Sequence, residues 1–568
     1  MTETVKNYLN NLTAKAIESF QKDKSLSQEV FPFKVDKNSL EDYGDYNTNI
    51  AYILAKELKQ SPMEAAEELL PYFEKAKQTY DDNGWIETIK ISQPGFINFT
   101  LSPKFIFYLQ NNLYSRPTNF WRSGFGANVL DKIGHKVQIE FISANPTGEL
   151  TVGNGRGGFL GLAIANVLNL AGSKTIKEYY INDIGHQIEK LGASVILAQG
   201  KDLATYKTEI KPEECYGGTF LKTVAASITI KANDTLLSIG HKASQIILKE
   251  IQETVTQKFK IHYDKWTRES DLVKNGYLKK TRNWLKESNL TYEKDNLTWL
   301  KTTAFGDSED RVIDRPHEPG FEGVGTYFLS DIAYHLYKFQ KGGYDRVIDI
   351  WGADHYTHMQ KMLMVVEQMH KDKIIKPQQR LEVILVQLVM LVREGVEVKM
   401  SKRSGNAYTI EDLIDEVGYD AAAFYFLEKP PNTHFNFDLD KAKAQSMDNP
   451  VYYVEYAAVR VKSLLTKHGR RLGKPQWDAL KEQEEIALAK KINEYPDILR
   501  EVALSLEINH LITYLKELAA IYHNFYNNCQ ILTSDEPLKS SRLAISTNTL
   551  KVLEHGLGLV GIVVPDKM

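Results

Sequence analysis

Lys136-Val-Gln-Ile-Glu-Phe-Ile142 begins the stretch that decides the fold, which continues through Ser143-Ala-Asn-Pro-Thr-Gly148 to Thr151-Val-Gly-Asn-Gly-Arg-Gly-Gly158. The first segment alternates and is rich in β-formers, so it predicts a strand, and the second predicts a turn. The third leads into residues 159–170, an apolar helix that ends before Gly172. Backbone N–H groups at a glycine-rich helix start can hold a phosphate. The stretch therefore predicts a strand–loop–helix unit that binds a nucleotide.

A second polar segment, Val398-Lys-Met-Ser-Lys-Arg-Ser-Gly-Asn406, follows an apolar, strand-like run over residues 383–392. Lysine is a compact charge on a flexible stem, so Lys399 and Lys402 on a loop could follow charge that develops on phosphates. A short basic cluster taken alone is more often solvated surface. Beside a nucleotide-binding unit, it predicts a triphosphate clamp.

The pattern divides the chain into three regions. Residues 1–112 mix a helical pattern at 49–59 with strand-like residues 89–101, which predicts a small α+β domain. Residues 113–440 alternate strand and helix signals and predict an α/β, doubly wound parallel-sheet (Rossmann-like) catalytic domain, with an insertion at about 200–320. Residues 441–568 predict an all-α helical bundle.

The two loops resemble the HIGH and KMSKS signatures of class I aminoacyl-tRNA synthetases, and the remaining motifs are similar to those of the arginyl-tRNA synthetase family. These motifs run through nearly the whole chain: Tyr43-Gly-Asp-Tyr-Asn-Thr-Asn49, Pro94-Gly-Phe-Ile-Asn98, Glu178-Tyr-Tyr-Ile-Asn-Asp-Ile-Gly185, Tyr327-Phe-Leu-Ser-Asp-Ile-Ala-Tyr-His335, Gly352-Ala-Asp-His355 and Asn449-Pro-Val-Tyr-Tyr-Val-Glu-Tyr-Ala457. Each is weak alone, but their order and spacing together are specific. The resemblance implies ATP-dependent activation of L-arginine to arginyl-adenylate and its transfer to the 3′ end of tRNA(Arg).

The chain departs from the family at the first signature. Histidine is expected at its first and last positions, where this sequence has Thr151 and Asn154. A hydroxyl and an amide can still donate hydrogen bonds, but neither carries a positive charge. Losing one transition-state donor typically costs about 3 kcal/mol. The departure therefore puts the rate in question more than the substrate.

The resemblance implies specific site residues. A guanidinium favours carboxylates in fork geometry. The expected arginine-binding residues are Glu140, Ser143, Asn145, Tyr327 and Asp331. The expected catalytic residues are Lys399, Lys402, Asn154 and Thr151, and those for ATP are Gly153, Asn154, Gly352, Asp354, His355, Met400 and Ser401. Without the resemblance, a strand-end glutamate is usually a surface group, a Tyr/Asp pair often a helix-face contact, and Asp354 could be a helix N-cap.

For tRNA, the resemblance points to the two ends of the chain. Phe96 and Asn98 could stack on and bond to an unpaired base, although Phe96 could equally belong to the core of its domain. Tyr456 and Arg460 share one side of a predicted helix in the bundle that receives the anticodon loop in the family. Tyrosines at that spacing are more often core than ligand contacts.

Composition sets outer limits on the partners. The 568 residues carry a net charge of only −3, so a tRNA would be held by local basic patches and by shape. The two cysteines, Cys215 and Cys529, have no zinc-like spacing, so no structural metal is expected; magnesium is expected only with ATP. We expect a cytoplasmic protein without a membrane partner, and the family resemblance implies a monomer.

Two alternatives stay open at this stage. Gly153, Gly155 and Gly158 form a G-x-G-x-x-G with Glu178 further on, as in an NAD-dependent dehydrogenase. That hypothesis leaves the lysine loop unexplained. The loss of both signature histidines instead favours a catalytically impaired tRNA-binding paralogue, which would have no chemical need for the lysine loop.

Overall fold

The computed structural model describes residues 4–26, 31–126, 128–206, 208–305, 307–314, 326–398, 408–470 and 472–568. The N-terminal part forms an antiparallel sheet of order β1-β2-β4-β3 with helices around it. Its elements are α1 (Val5–Asp23), β1 (Val35–Lys37), β2 (Tyr46–Thr48), α2 (Ile50–Leu58), α3 (Pro62–Tyr80), β3 (Ile86–Ser92), β4 (Phe96–Leu101), α4 (Pro103–Ser115), α5 (Pro117–Ser123) and α6 (Val129–Ile133). The predicted helix at 49–59 is confirmed, and the strand-like run 89–101 is the end of one strand, a turn and the next strand.

The middle part is built on a parallel five-stranded sheet, preceded and followed by helices. Its first elements are β5 (Lys136–Glu140), α7 (Val152–Leu170), β6 (Lys174–Ile181), α8 (His186–Ala198), α9 (Thr219–Ala226), α10 (Leu236–Glu253), β7 (Lys265–Arg268), α11 (Glu269–Lys274), α12 (Tyr277–Glu287), β8 (Thr291–Lys294), β9 (Leu297–Leu300) and β10 (Arg311–Asp314). Its later elements are α13 (Tyr327–Tyr337), β11 (Arg346–Gly352), α14 (Tyr356–Lys371), β12 (Arg380–Val386), β13 (Val389–Arg393), β14 (Val396–Glu397), α15 (Ile410–Val417), α16 (Tyr419–Glu428), β15 (Phe435–Asp438) and α17 (Leu439–Lys443).

The parallel sheet has the order β12-β11-β5-β6-β7. The chain leaves β5 toward β6 and β7 and later returns on the other side of β5 to form β11 and β12. The strand order therefore reverses between β5 and β11. In open parallel sheets, ligands bind beyond the carboxyl ends of the strands at such a reversal. The doubly wound prediction is confirmed, and it places the candidate site at the ends of β5 and β11.

One predicted strand is wrong in detail. The run 383–392 is not one continuous strand, because β12 and β13 belong to different sheets and are separated by Gln387 and Leu388. The buried Arg156 guanidinium stabilises the connection between the two strands, because it donates to the carbonyls of Gln387 (3.2 Å), Thr433 (2.7 Å) and Pro430 (2.6 Å). Burial lowers the pKa of Arg156 to about 10.

The C-terminal part is a helical bundle of α18 (Pro450–His468), α19 (Gln483–Asn493), α20 (Tyr495–Ser505), α21 (Asn509–Asn528) and α22 (Leu538–Leu559). The N-terminal part docks on it through buried polar groups. Gln110 of α4 donates to Asn493 Oδ1 (2.8 Å), and Asn548 of α22 donates to Gln110 Oε1 (2.9 Å). Thr4 donates to Asp497 Oδ1 at 2.9 Å. Buried groups satisfied in this way fix the mutual position of the two parts.

Among the described residues, no helix combines the length and apolar content needed to cross a bilayer.

Candidate active site

Three carboxylates lie side by side on three neighbouring strands, at the last residue of β5 and three residues before the carboxyl ends of β6 and β11. Glu140 of β5 is in register with Glu178 of β6 and with Asp349 of β11. Because parallel neighbours in register point to the same face, all three side chains lie on the face that α13 covers. All three are buried, so the strand ends carry concentrated negative charge in a site largely shielded from water.

Lys338, in the π-helical turn that continues α13, neutralises part of this charge. Its fully buried Nζ donates to Glu140 Oε2 (2.7 Å) and to Asp349 Oδ1 (2.8 Å). Burial raises the pKa of Glu140 to about 6, although Lys338 opposes the rise. Burial also acts on Asp349, but Lys338 and His335 outweigh it and hold the pKa of that carboxyl below its usual value. Glu140 is therefore already partnered on one oxygen before any substrate arrives.

The side of α13 nearer its start carries Tyr327 and Asp331, one helical turn apart as the sequence predicted. Asp331 Oδ2 lies 2.5 Å from His358 Nε2 on α14. The Tyr327 ring is 54% exposed and lies 5.4 Å from the His358 ring, which is also 5.4 Å from the Trp351 ring. The charge of Asp331, followed by burial, raises the pKa of Tyr327. Together these groups form an aromatic and acidic wall with one open side.

The loop after β5 is held in a strained shape. Ile142 and Ser143 have positive φ angles of 66° and 35°, which residues with side chains rarely adopt. Ser143 Oγ accepts from the Tyr180 N–H (3.0 Å), and the Tyr179 hydroxyl donates to the Ala144 carbonyl (2.8 Å). Asn145, which follows, is exposed. Strain kept by specific bonds is typical of functional loops, and here the loop carries the exposed Asn145 just past the carboxyl end of the central strand β5.

Thr151 and Asn154 form the first turn of α7. Asn154 Oδ1 accepts from the Thr151 N–H (2.9 Å) and from its hydroxyl (3.1 Å), so the amide NH₂ is the group left to donate to a ligand. A side chain added at Gly153 would meet nothing closer than Thr151 Oγ1 at 3.7 Å. The helix start is thus open at the position where the sequence predicted a nucleotide.

The other glycines of this helix serve packing. An added Cβ would lie 2.6 Å from Ile410 at Gly155, 2.8 Å from Phe259 at Gly158 and 2.3 Å from Phe141 at Gly161. Two of the three glycines in the G-x-G-x-x-G are thereby explained by close side-chain contact. They give no support to the dehydrogenase hypothesis.

Gly352 ends β11, and Asp354 and His355 lie in the short turn between β11 and α14. The side chains of Asp354 and His355 are 83% and 45% exposed, and His355 Nε2 lies 3.8 Å from Asp354 Oδ2. The N-cap of α14 is His355, so the alternative that Asp354 caps this helix is wrong. Both side chains remain accessible to a ligand at the strand end.

Four predicted residues, Lys399, Met400, Ser401 and Lys402, lie outside the described residues. Thr409 comes two positions after the undescribed segment 399–407 and forms a β-bridge with Thr151. The N–H of the next residue, Ile410, donates to the Leu150 carbonyl at 3.1 Å. The chain therefore leaves this segment directly beside the start of α7.

The four residues predicted to contact tRNA lie on other elements. Phe96 on β4 is half-buried, with its ring 5.1 Å from the Tyr52 ring. Asn98 is buried, and its amide donates to Ser92 Oγ at 2.8 Å, so it supports the strand from inside. A direct contact of Asn98 with a base would first need this bond to break.

In the bundle, the Arg460 guanidinium is held between two aromatic rings. It lies 4.7 Å from the Tyr456 ring centre and 4.5 Å from that of Tyr526. It also donates to the Tyr456 hydroxyl at 3.2 Å. Both predicted residues thus belong to one cation–π stack on α18 and α21.

Lys338 and His358 were not predicted from the sequence. Lys338 follows Tyr327 and Asp331 at spacings that keep one helix face, so this spacing could have identified it. His358 comes three residues after His355, at the start of a helix, and no local pattern distinguishes it. Among the described residues, no group of three or more His, Cys, Asp or Glu side chains could hold a metal ion.

Comparison with known proteins gives full-length matches. Three family models match: an arginyl tRNA synthetase N terminal domain over residues 3–101, a tRNA synthetases class I (R) catalytic domain over 127–464, and a DALR anticodon binding domain over 454–568. An arginine–tRNA ligase of Citrifermentans bemidjiense is 37% identical over 99% of this chain and 100% of its own. One from Desulforamulus reducens is 37% identical over 93% of this chain and 92% of its own.

Two solved structures share the fold. An arginyl-tRNA synthetase of Thermus thermophilus aligns with a TM-score of 0.76 at 20% identity, covering 99% of this chain and 100% of that one. One from Plasmodium falciparum aligns with a TM-score of 0.75 at 17% identity, and the alignment covers 100% of both chains.

Proposed function

The chain belongs to the arginyl-tRNA synthetase family of class I enzymes, and from that premise we propose that it is an arginine–tRNA ligase. It would activate L-arginine with ATP and transfer the arginyl group to the 3′ end of tRNA(Arg). The observation that carries the proposal is the wall of Tyr327 and Asp331 beside Glu140, because it gathers acidic and aromatic groups at the point where the strand order reverses. A guanidinium is the ligand that such a wall favours.

The reaction would run in two displacements. The arginine carboxylate attacks the α-phosphate of ATP, forming the arginyl-adenylate bond while the bond to pyrophosphate breaks. A ribose hydroxyl of the tRNA 3′ end then attacks the arginyl carbonyl and releases AMP. Positioning and electrostatic stabilisation supply most of the rate enhancement in such transfers.

We assign the adenosine and phosphates to the ends of β11 and α7. Gly153 leaves room for the nucleotide, Asn154 donates from its amide, and Thr151 fixes the helix start. Lys399 and Lys402 would steady the departing pyrophosphate. The remaining ATP-binding residues in the proposal are Gly352, Asp354, His355, Met400 and Ser401.

Arginine would lie across the ends of β5 and α13. Tyr327, Asp331 and Glu140 would face its guanidinium, while Ser143 and Asn145 would face its amino-acid backbone. The strained loop supports this assignment, since it exposes Asn145 beside the strand end. Magnesium would arrive with ATP and be held mainly by phosphates and water, because the described side chains form no metal cage of their own.

The three predicted regions would divide the tRNA between them. Residues 1–112 would contact the outer corner through Phe96, with Asn98 as the buried support of that strand. Residues 113–440 would hold the 3′ end, and residues 441–568 the anticodon loop at Tyr456 and Arg460. A cytoplasmic monomer is part of the same proposal.

Arginine-dependent ATP–pyrophosphate exchange tests the function. The purified chain is assayed with and without tRNA, using lysine and canavanine as competing amino acids. Exchange that requires arginine and is weak with lysine is the expected result. Tight tRNA binding without exchange or arginyl-tRNA formation would overturn the proposal. It would favour the tRNA-binding paralogue, the alternative suggested by Thr151 and Asn154 at the positions where the family has histidine.

A further inference from the structure

The insertion at about 200–320 reaches the nucleotide end of the site through the end of α10. This helix does not stop at Glu253 but continues as a π-helical turn, Thr254–Lys258. Single π-helical turns are rare and occur frequently at functional sites. Phe259, which follows the turn, is fully buried, and its ring lies 5.0 Å from that of Phe159 on α7. The turn is therefore anchored on the helix whose first residues we assign to ATP.

The last residue of this turn, Lys258, contacts α15. Its Nζ donates to both carboxylate oxygens of Asp415, at 2.6 and 2.8 Å, and lies 3.2 Å from Glu411 Oε1. The Thr254 hydroxyl donates to the other oxygen of Glu411 at 3.4 Å. The hydrogen bond to Asp415 raises the pKa of Lys258. Because Glu411 and Asp415 are one helical turn apart, the insertion binds α15 along most of its length.

The helix α15 depends on cations that other elements supply. Four of its eight residues are acidic. Two of these, Asp415 and Glu416, lie in its last turn, where the helix dipole disfavours carboxylates. Glu416 is paired with Arg393 of β13 and with Lys443 of α17, and Asp415 is paired with the lysine of the insertion. The position of α15 is therefore set by charges on both of its sides.

Apolar packing does not replace the contacts on the insertion side. A cavity of about 40 Å³ lies between α10 and the start of α15, and Glu250, Thr254, Thr409 and Glu411 are among the residues that line it. Atoms that face a void have no dispersion partner across it, so α10 and α15 gain little from packing here. The polar contacts of the π-helical turn consequently determine the distance between the two helices.

The start of α15 contacts the first turn of α7. Thr409, its N-cap, forms the β-bridge with Thr151. The next side chain, Ile410, is fully buried against Gly155, where an added Cβ would lie 2.6 Å from it. Asn154, the proposed donor to the nucleotide, directly precedes Gly155. A displacement of α15 would therefore change the surroundings of this donor.

We infer that Lys258 is a positioning residue for the reaction with ATP, because it holds α15 against the start of α7. The inference rests on the proposed function and gives the insertion a task in adenylate formation. The Lys258 and Asp415 side chains are 25% and 60% exposed, and ion pairs at such sites add little to stability. Small displacements of positioned groups, in contrast, cost large factors in rate. Loss of Lys258 should thus affect catalysis more than folding.

The test is ATP–pyrophosphate exchange, measured with tRNA present, by the native chain and by Lys258→Glu. The new carboxylate would repel Glu411 and Asp415 and so displace α15. We expect kcat to fall at least tenfold and KM for ATP to rise at least threefold. KM for arginine should stay within about twofold, because its proposed site lies at β5 and α13, and the thermal midpoint should stay within about 2 °C.

A charge exchange tests whether the pair itself acts. When Asp415→Lys is added to Lys258→Glu, the new lysine again lies between two carboxylates, that of Glu411 and the one at position 258. This double variant should recover kcat to within about threefold of the native value, and Lys258→Arg should retain most of the activity. Lys249→Glu on α10 is the matched control and should change nothing, since its side chain is 76% exposed and its ion pair with Glu253 lies within one helix.

The possible results separate the two proposals. A native chain without exchange overturns the proposed function and this inference together. If the native chain is active, native kinetics of Lys258→Glu overturn the inference alone. An equal rise in KM for arginine and ATP, or a double variant no more active than Lys258→Glu, also overturns it, since either would show a general loss of structure. If Lys258→Glu unfolds, Lys258→Met replaces it, with the same pattern and a loss of kcat of about threefold to tenfold.

Discussion

Asn154 combines two tasks in one amide, which can be separated by substitution. Its oxygen accepts from the Thr151 N–H and hydroxyl at the start of α7, which leaves its NH₂ group as the donor for the proposed nucleotide. Asn154→Ala should lower kcat for exchange about 100-fold, since a transition-state donor is worth about 3 kcal/mol. The unfolding free energy should fall by only about 1 kcal/mol. Exchange kinetics and denaturant unfolding measure the two effects.

Thr151→Ser is the control for Asn154, because it keeps the hydroxyl that bonds to the amide oxygen. It should retain most of the activity. Activity of Asn154→Ala within threefold of the native chain would show that the amide is no donor in the reaction.

His358 holds Asp331 in place for the substrate. With Nε2 2.5 Å from the carboxylate, the imidazole fixes one oxygen and leaves the other for the guanidinium. His358→Phe keeps the ring contacts with Tyr327 and Trp351 but removes this bond. We expect KM for arginine to rise about tenfold, since hydrogen bonds to charged groups are worth about 1.5–3 kcal/mol, while KM for ATP stays constant.

His358→Gln, which keeps an N–H donor, should recover part of the arginine KM. An equal rise in KM for arginine and ATP would instead indicate a general loss of structure.

At the scale of single elements, the glycines of α7 differ in role: Gly161 allows close packing, and Gly153 leaves room for a ligand. A methyl group at Gly161 would lie 2.3 Å from the buried Phe141 ring, whereas one at Gly153 meets nothing within 3.4 Å. Alanine gains about 1 kcal/mol of helix propensity at either position, but overpacking costs about 1–3 kcal/mol. Gly161→Ala should therefore destabilise the chain by up to about 2 kcal/mol, measured by denaturant unfolding.

Gly153→Ala is the matched change on the same helix. It should raise the unfolding free energy by up to about 1 kcal/mol while it weakens ATP binding. Equal loss of stability in the two variants would contradict this division of the helix.

The elements were largely predictable, because their signals are local. The alternation of residues 136–142, the turn residues after them and the apolar helix behind Gly158 each carry their own period or turn chemistry. The break between β12 and β13 was not predictable, since it depends on carbonyls that Arg156 binds across 231 and 277 positions of the chain. The ion pair of Glu140 was not predictable either: local spacing could place Lys338 on the helix face of Tyr327 and Asp331, but its partner lies 198 positions away.

At the scale of the whole molecule, His555 on α22 of the bundle contacts α5, one of the helices that precede the parallel sheet. Its ring stacks on Trp121 of α5 with centroids 4.4 Å apart, and its Nδ1 accepts from the Tyr495 hydroxyl at 2.7 Å. Burial lowers the pKa of His555 to about 4. Since its pKa in the unfolded chain is about 6.5, the unfolded state binds more protons below that value, and stability is lost as pH falls from about 6.5 toward 4.

His555→Phe should keep the stacking but lose this part of the pH dependence. At pH 7 the variant should be less stable than the native chain by about 1–3 kcal/mol, because the Tyr495 hydroxyl loses its partner. Unfolding midpoints measured between pH 7.5 and pH 5 test this. A difference between the two chains that does not shrink as pH falls would show that His555 is not the titrating group.

The docking of the N-terminal part on the bundle has a consequence for how the chain is made. The bonds Thr4–Asp497 and Gln110–Asn548 join residues 493 and 438 positions apart. A ribosome adds residues in order at about 5–20 per second, so the first half of this interface waits for tens of seconds before its second half emerges. During that time the buried amide of Gln110 and the apolar surface around it face water. This interface can therefore form only after nearly the whole chain has been made, and we expect nascent chains that stop before residue 497 to leave the N-terminal half of the interface exposed to water.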